Sequence, residues 1–162
     1  CLAMANGYSI EKAMLAGLLH DCAKCMPDSK KLKICEKNHI EITEAEKMSP
    51  FLLHAKVGAY IAKAKYDIED TEILDAIACH TTGKPAMTLL EKIIYISDYI
   101  EPMRNKASNL EEVRKMAFVD LDEALFKILS DTLVYLEKSS KKMDPMTMQT
   151  YEYYRAQRES AQ

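Results

Sequence analysis

Glycine and proline are scarce in this chain, at 4 and 5 of its 162 residues, so few positions break a helix or force a turn. Strand-like alternation of apolar and polar residues does not stand out either. Apolar positions recur mainly at helical spacing, which predicts an all-α fold. No uncharged apolar run approaches the ~20 residues needed to cross a bilayer, and no basic-then-apolar leader is recognised, so no membrane partner and a cytoplasmic location are expected. A basic excess is also missing: the formal net charge is −3. Long nucleic acid backbones are therefore not expected as partners, although a few local cations can hold a small phosphorylated ligand.

Five cysteines, Cys1, Cys22, Cys25, Cys35 and Cys79, form an odd set, which fits reduced thiols better than a disulfide framework. With 48% hydrophobic residues the chain suffices for one well-buried core and is short for two. A single domain over 1–162 is expected, a helical bundle with 145–162 as a peripheral C-terminal segment. Residues 1 to 7 read as the last turns of a helix stopped by Gly7, with the rest of that helix expected upstream of Cys1. Repeats, low-complexity tracts and linkers are not found.

Local signals divide the chain into helices. Ser9 can cap a helix through Ala13, Leu15, Leu18 and Leu19 that delivers His20 and Asp21 at its C-terminal end. A short polar helix, about Ser29 to Lys37, is followed by a loop up to Ser49-Pro50, a cap and first-turn proline that open a helix bearing His54 and a small face at Gly58. Asp70 caps a helix that ends at His80, with Thr81 to Pro85 as its stop. Thr88 and Glu91 have capping-box spacing, and the Ile93 to Ile96 run places Asp98 in a strongly apolar helix interrupted by Pro102. Ser108 and Glu111 repeat the capping box, and Asp120 starts a long amphipathic helix through Leu136 that looks like scaffold. After Pro145 the Tyr151, Tyr153 and Tyr154 segment is either a docked helix or a frayed end.

Three of the four histidines, His20, His54 and His80, fall at helix ends or apolar faces, together with Asp21 and Asp98. His39 lies in a lysine-rich polar stretch and contributes nothing to this set. Any one of these residues alone is best explained as a hydrogen-bonded core histidine or a capping aspartate. An ordered series, His-Asp, His, His, Asp, separated by 33, 26 and 18 positions from Asp21 onward, is better explained by one shared metal site. Imidazole nitrogens bind borderline cations, and carboxylates neutralise and bridge them. An aspartate in so apolar a helix as that of Asp98 costs free energy unless it is paired or metal-bound.

The series and its contexts, Ala16-Gly17-Leu18-Leu19-His20-Asp21-Cys22-Ala23-Lys24, His54-Ala55-Lys56-Val57-Gly58-Ala59, His80-Thr81-Thr82-Gly83 and Asp98-Tyr99-Ile100-Glu101-Pro102-Met103-Arg104, resemble the YqeK-type branch of the HD-domain metal-dependent phosphohydrolases. The resemblance spans roughly Ala13 to Arg104. It implies symmetrical hydrolysis of diadenosine tetraphosphate to two ADP at a di-iron centre. An early histidine of the family pattern has no counterpart among residues 1 to 19 and is expected upstream of Cys1.

On this reading Asp21 bridges two metals, His20 and Asp98 serve one of them, and His54 and His80 the other. Asp21, His54 and His80 are the expected catalytic residues. Two metals ~3.5–4 Å apart can share and acidify a water for in-line attack on phosphorus, so no protein nucleophile is required. Nitrogen and oxygen donors without thiolate fit iron, manganese or zinc; the resemblance favours iron. Lys24 and Arg104 match family positions that bind phosphate, and the Arg104 fork suits bidentate contact. Lys142 to Pro145 is a weaker match for a segment closing over the nucleotide. Cys22 and Cys25 lack the βαβ context of a redox pair and the second cysteine pair of a zinc cluster, so they read as incidental. Asp75, Asp131, Glu111 and Glu112 read as solvated helix faces, and the ten methionines as adaptable packing. Two alternatives stay open: an HD phosphohydrolase of a cyclic nucleotide or nucleoside triphosphate, and a metal and nucleotide-binding module without turnover. The sequence also leaves homodimerisation open.

Overall fold

A computed structural model describes residues 1–105, 107, 109–139 and 143–160. Among these residues the chain forms ten α-helices and no strand: α1 Leu2–Ala5, α2 Ile10–Leu19, α3 Asp28–Lys37, α4 Glu44–Met48, α5 His54–Tyr66, α6 Thr71–Cys79, α7 Leu89–Ile100, α8 Leu110–Ala117, α9 Leu121–Lys138 and α10 Pro145–Ser160. A 3₁₀ turn, Pro50–Leu53, leads directly into α5. The all-α expectation holds, and no helix among the described residues is long and apolar enough to cross a membrane.

Polar side chains start the helices where the sequence places them. Ser9, Asp70 and Asp120 accept hydrogen bonds from backbone N–H groups of the first turns of α2, α6 and α9, and Thr88 with Glu91 forms a full capping box on α7. Each satisfies donors that a helix start leaves unpaired. The stretch before Ser49 differs from expectation. It contains α4, started by a second capping box of Thr43 and Glu46, where the sequence reading had only a loop. Pro50 opens the 3₁₀ turn instead of α5, whose first residue is His54. Ser108 lies outside the described residues, and Asn109 occupies the N-cap of α8.

Helix α7 is the axis of the fold. Apolar residues cover most of its circumference, with Leu90, Ile93, Ile94, Tyr95 and Ile96 all buried, because α2 and α6 pack on one side and α1, α8 and α9 on the other. A third apolar cluster, around Ala23, Cys35, Leu53 and Val57, joins α3 and the 3₁₀ turn to α5. At Gly58 on α5, an added Cβ would lie 3.4 Å from the His20 carbonyl oxygen and from Ile77. This small position lets α5 approach the end of α2 and the body of α6, bringing three histidine-bearing segments together.

The C-terminal segment is a docked helix. Tyr151 stacks on Phe126 at 5.7 Å, the Met87 N–H donates to the Tyr154 hydroxyl at 2.8 Å, and Arg158 pairs with Glu123 at 2.6 Å. Thr150, fully buried, sits against Gly83, whose φ of +66° is the left-handed region that glycine adopts without strain. The start of α10 thereby rests on the loop that follows His80.

Candidate metal centre

His20, His54 and His80 stand at helix ends: His20 is the C-cap of α2, His80 the C-cap of α6, and His54 the first residue of α5. This shared placement has a chemical consequence. Each ring directs Nδ1 at the carbonyl three residues earlier, His20 to Gly17 at 2.6 Å, His54 to Phe51 at 2.7 Å and His80 to Ile77 at 2.8 Å. A carbonyl only accepts, so Nδ1 carries the hydrogen in all three rings, and each neutral ring presents Nε2 as a lone pair. The same kind of bond fixes ring orientation in metal-ligating histidines.

The three Nε2 atoms converge on Asp21, whose two oxygens face different partners. Oδ1 lies 3.4 Å from His54 Nε2 and 3.6 Å from His80 Nε2. Oδ2 lies 3.4 Å from His20 Nε2 and 2.5 Å from the Lys24 ammonium. Asp98 Oδ1 approaches the same His20 Nε2 at 3.7 Å. The expected metal residues therefore share one end of the bundle, and His20, Asp21 and His80 offer ligand atoms all within 4.8 Å of one another. His39 is exposed on the loop after α3 and stands apart from the other three.

Two features of the polar atoms fit a cation. The buried Oδ1 of Asp21 has no hydrogen-bond partner among the described residues, an unfavourable state for a carboxylate oxygen. His54 Nε2 and His80 Nε2 face each other at 3.2 Å, with both Nδ1 hydrogens already committed. Neutral rings so arranged oppose lone pair to lone pair, and a shared positive charge relieves that repulsion. Burial, reinforced by the neighbouring His80, lowers the pKa of His54 below the ordinary imidazole value and favours its neutral, ligating form. The Asp98 carboxylate raises the pKa of His20, outweighing burial. Burial disfavours the charge on Asp21, but His80, Lys24 and His20 together hold its carboxyl well below the usual carboxylate range.

A cleft of about 380 Å³ opens beside these groups, lined by residues that include Gly17, His20, Asp21, Lys24, Ser97, Asp98 and Arg104. Arg104 folds back over the last turn of α7, donating to the Asp98 carbonyl at 3.0 Å and lying 3.5 Å from Asp98 Oδ2. Its Nε is buried without a partner among the described residues. Lys24 and Arg104 thus flank the carboxylates as cations of the cleft. Thr81, which sequence reasoning passed over, brings its hydroxyl within 3.3 Å of His80 Nε2 and 3.4 Å of His54 Nε2. Its place in His80-Thr81-Thr82-Gly83, beside a ligand candidate, was the available signal. Lys142 is outside the described residues. Nearby Asp144 is buried and accepts from the Thr43 hydroxyl at 2.8 Å, tying the start of α10 to α4. Asp131 is half-buried and bonded to Lys127 and Asn109, so it joins α8 to α9 and is not the solvated residue expected.

An all-helical fold that gathers imidazoles and carboxylates at helix ends beside an open cleft has the donor set of a metal-dependent hydrolase. The HD domain family matches residues 1–103, and the chain belongs to that family, within its YqeK-type branch, as an HD-domain hydrolase. It is 40% identical over 152 residues, covering 94% of this chain and 81% of the relative, to the symmetrical bis(5'-nucleosyl)-tetraphosphatase of Bacillus subtilis. The protein of the same name from Halalkalibacterium halodurans is 39% identical over 150 residues, with 93% and 79% covered. A solved structure from Clostridium acetobutylicum, described as a "predicted HD superfamily hydrolase involved in NAD metabolism", superposes with a TM-score of 0.92 at 38% identity, covering 96% of this chain and 82% of that one. HD domains are metal-dependent, and the donor set described above suits a metal.

Proposed function

We propose that the protein hydrolyses dinucleoside tetraphosphates symmetrically, converting diadenosine tetraphosphate to two ADP. The observation that carries this reading is the divided environment of Asp21: Oδ1 faces His54 and His80, and Oδ2 faces His20. His20, Asp21, His54, His80 and Asp98 would hold the metals, with Asp21 shared between the His54–His80 side and the His20–Asp98 side. Iron is the favoured metal by family, and manganese or zinc would also suit these nitrogen and oxygen donors. When bound, the metals supply Lewis acidity toward phosphoryl oxygens and acidify a water to attack phosphorus.

The chain's own groups then bind and orient the substrate. Asp21, which lines the cleft, and the buried His54 and His80 beside it are the catalytic set. Lys24 lines the cleft with its ammonium on Asp21 Oδ2, and its other donors can take up a phosphate there. Arg104, half-buried at the cleft, offers the exposed donors of its fork to phosphate oxygens, where charge grows on the departing nucleoside diphosphate. Thr81 supplies a hydroxyl that can hold a water by hydrogen bonding beside His54 and His80. The whole chain, 1–162, acts as one domain on a small nucleotide, and its free thiols and substrate suit the cytoplasm.

Incubation with diadenosine tetraphosphate and resolution of the nucleotides tests this. ADP as sole product is expected. AMP with ATP would contradict symmetrical cleavage, and turnover confined to cyclic nucleotides or nucleoside triphosphates would move the protein to another HD activity. Metal without any turnover would leave a binding module.

A further inference from the structure

The turn that carries Arg104 has little internal support. Helix α7 ends at Ile100, and Glu101 at its C-cap is extended, with ψ of 144°, so the chain leaves the helix without winding back to pair its last carbonyls. Orphan carbonyls and the negative end of the helix dipole both call for a donor of positive charge. Arg114, half-buried on α8, supplies it. Its Nε donates to the Ile100 carbonyl at 2.9 Å, and its Nη2 to the carbonyls of Glu101 at 2.7 Å, Arg104 at 3.0 Å and, more weakly, Pro102 at 3.4 Å.

The base of this clasp is firm. Leu110, Val113 and Ala117 bury one face of α8 against α9, and Asn109 at the head of α8 donates to Asp131 on α9. By contrast, among the described residues the turn itself holds only Arg104 N–H to the Glu101 carbonyl at 3.1 Å and Met103 N–H to the Glu101 carboxylate at 2.8 Å. The Arg104 side chain then runs from this turn to the Asp98 carbonyl.

We propose that Arg114 is a positioning residue, whose hydrogen bonds to the carbonyls of Ile100, Glu101, Pro102 and Arg104 set the turn that aims Arg104 into the cleft. The proposal rests on the reading of Arg104 as a phosphate-binding group. Arg114 does not line the cleft; it acts through Arg104. Only a planar fork with several donors spans these carbonyls, whereas a lysine offers a point charge.

Two measurements on the full chain decide it. Hydrogen exchange needs no nucleotide: Arg114→Ala and Arg114→Lys should both speed exchange within 101–104 while leaving α2, α5 and α6 protected. Unchanged exchange in 101–104, or a uniform increase, would overturn the clasp. Calorimetric binding of ADP, the probe, follows on the same variants. Arg114→Ala should weaken it about tenfold, the worth of one charge-assisted hydrogen bond to phosphate. Arg114→Lys should recover melting temperature through its charge near the end of α7 without recovering affinity. In the Arg104→Ala background the Arg114→Ala loss should vanish, since both act through one guanidinium. Full affinity in Arg114→Lys, or losses that multiply in the double variant, would overturn the proposal. Wild-type protein that binds no ADP would instead overturn the phosphate-binding reading of Arg104, and the exchange result would still decide the clasp.

Discussion

Gly83→Ala tests how the C-terminal helix is tied to the loop behind His80. At φ of +66° an alanine is strained, by roughly 1–2 kcal/mol for a side chain in the left-handed region. Its Cβ would also stand 2.8 Å from Thr150 Cγ2, closer than any real contact. Thr150 cannot turn aside cheaply, because it is fully buried and its hydroxyl donates to the Met146 carbonyl at 2.7 Å. Overpacking of this kind costs about 1–3 kcal/mol. The two contributions sum to about 3 kcal/mol, which at roughly 2–4 °C per kcal/mol for a chain of this size lowers the melting temperature by about 6–12 °C. Thermal unfolding followed by circular dichroism measures it. Thr150→Ser removes the offending methyl, so Gly83→Ala should cost less in that background, with the backbone strain remaining. A Gly83→Ala melting point within about 1 °C of wild type, or a cost unchanged by Thr150→Ser, would refute the reasoning.

Three further outcomes are expected. Gly17 is an interior residue of α2 whose added Cβ would meet only Ile94 Cδ1, at an ordinary 3.9 Å, so Gly17→Ala should raise stability by ~0.5–1 kcal/mol through helix propensity; a lower melting point would count against that packing. Lys12 on α2 pairs with Asp70 and Glu72 at the start of α6, at 2.8 and 2.9 Å, and its hydrogen bonds depress both carboxyl pKa values. Depressed carboxylates stabilise the fold above their unfolded pKa and lose that contribution as pH falls through the folded value. The melting-temperature gap between wild type and Lys12→Met should therefore be open at neutral pH and close as pH falls below the ordinary carboxylate range; a gap independent of pH would contradict it. Finally, burial pushes the Cys79 thiol up to about 12 and raises that of Cys35, while Cys1, Cys22 and Cys25 are exposed. Maleimide should modify the latter three in native protein and the buried pair only after unfolding, and prompt labelling of all five would contradict the packing.

Helix starts were legible because the physics is local: Ser9, Asp70, Thr88 and Asp120 cap the helices of their own neighbourhood. The same signal was present in Thr43 and Glu46, but α4 spans only five residues and carries no apolar periodicity to draw attention to it. Ligand candidates were legible as residue types in a helical pattern. Their arrangement was not, because the Nδ1 bonds to Gly17, Phe51 and Ile77 depend on where each ring meets the preceding turn. Arg114 was invisible for a different reason. On α8 it looks like any basic residue of a polar face, and its partners lie 10 to 14 positions earlier in the chain, brought within reach only when α8 packs on α9.

Metal content, measured by elemental analysis on freshly purified wild type and Asp21→Ala side by side, tests the central claim most directly. Wild type should carry metal, iron foremost and about two per chain, and Asp21→Ala should lose it while keeping native helix content. Wild type that takes up no metal even after iron reconstitution, or Asp21→Ala that retains a wild-type complement, would contradict it.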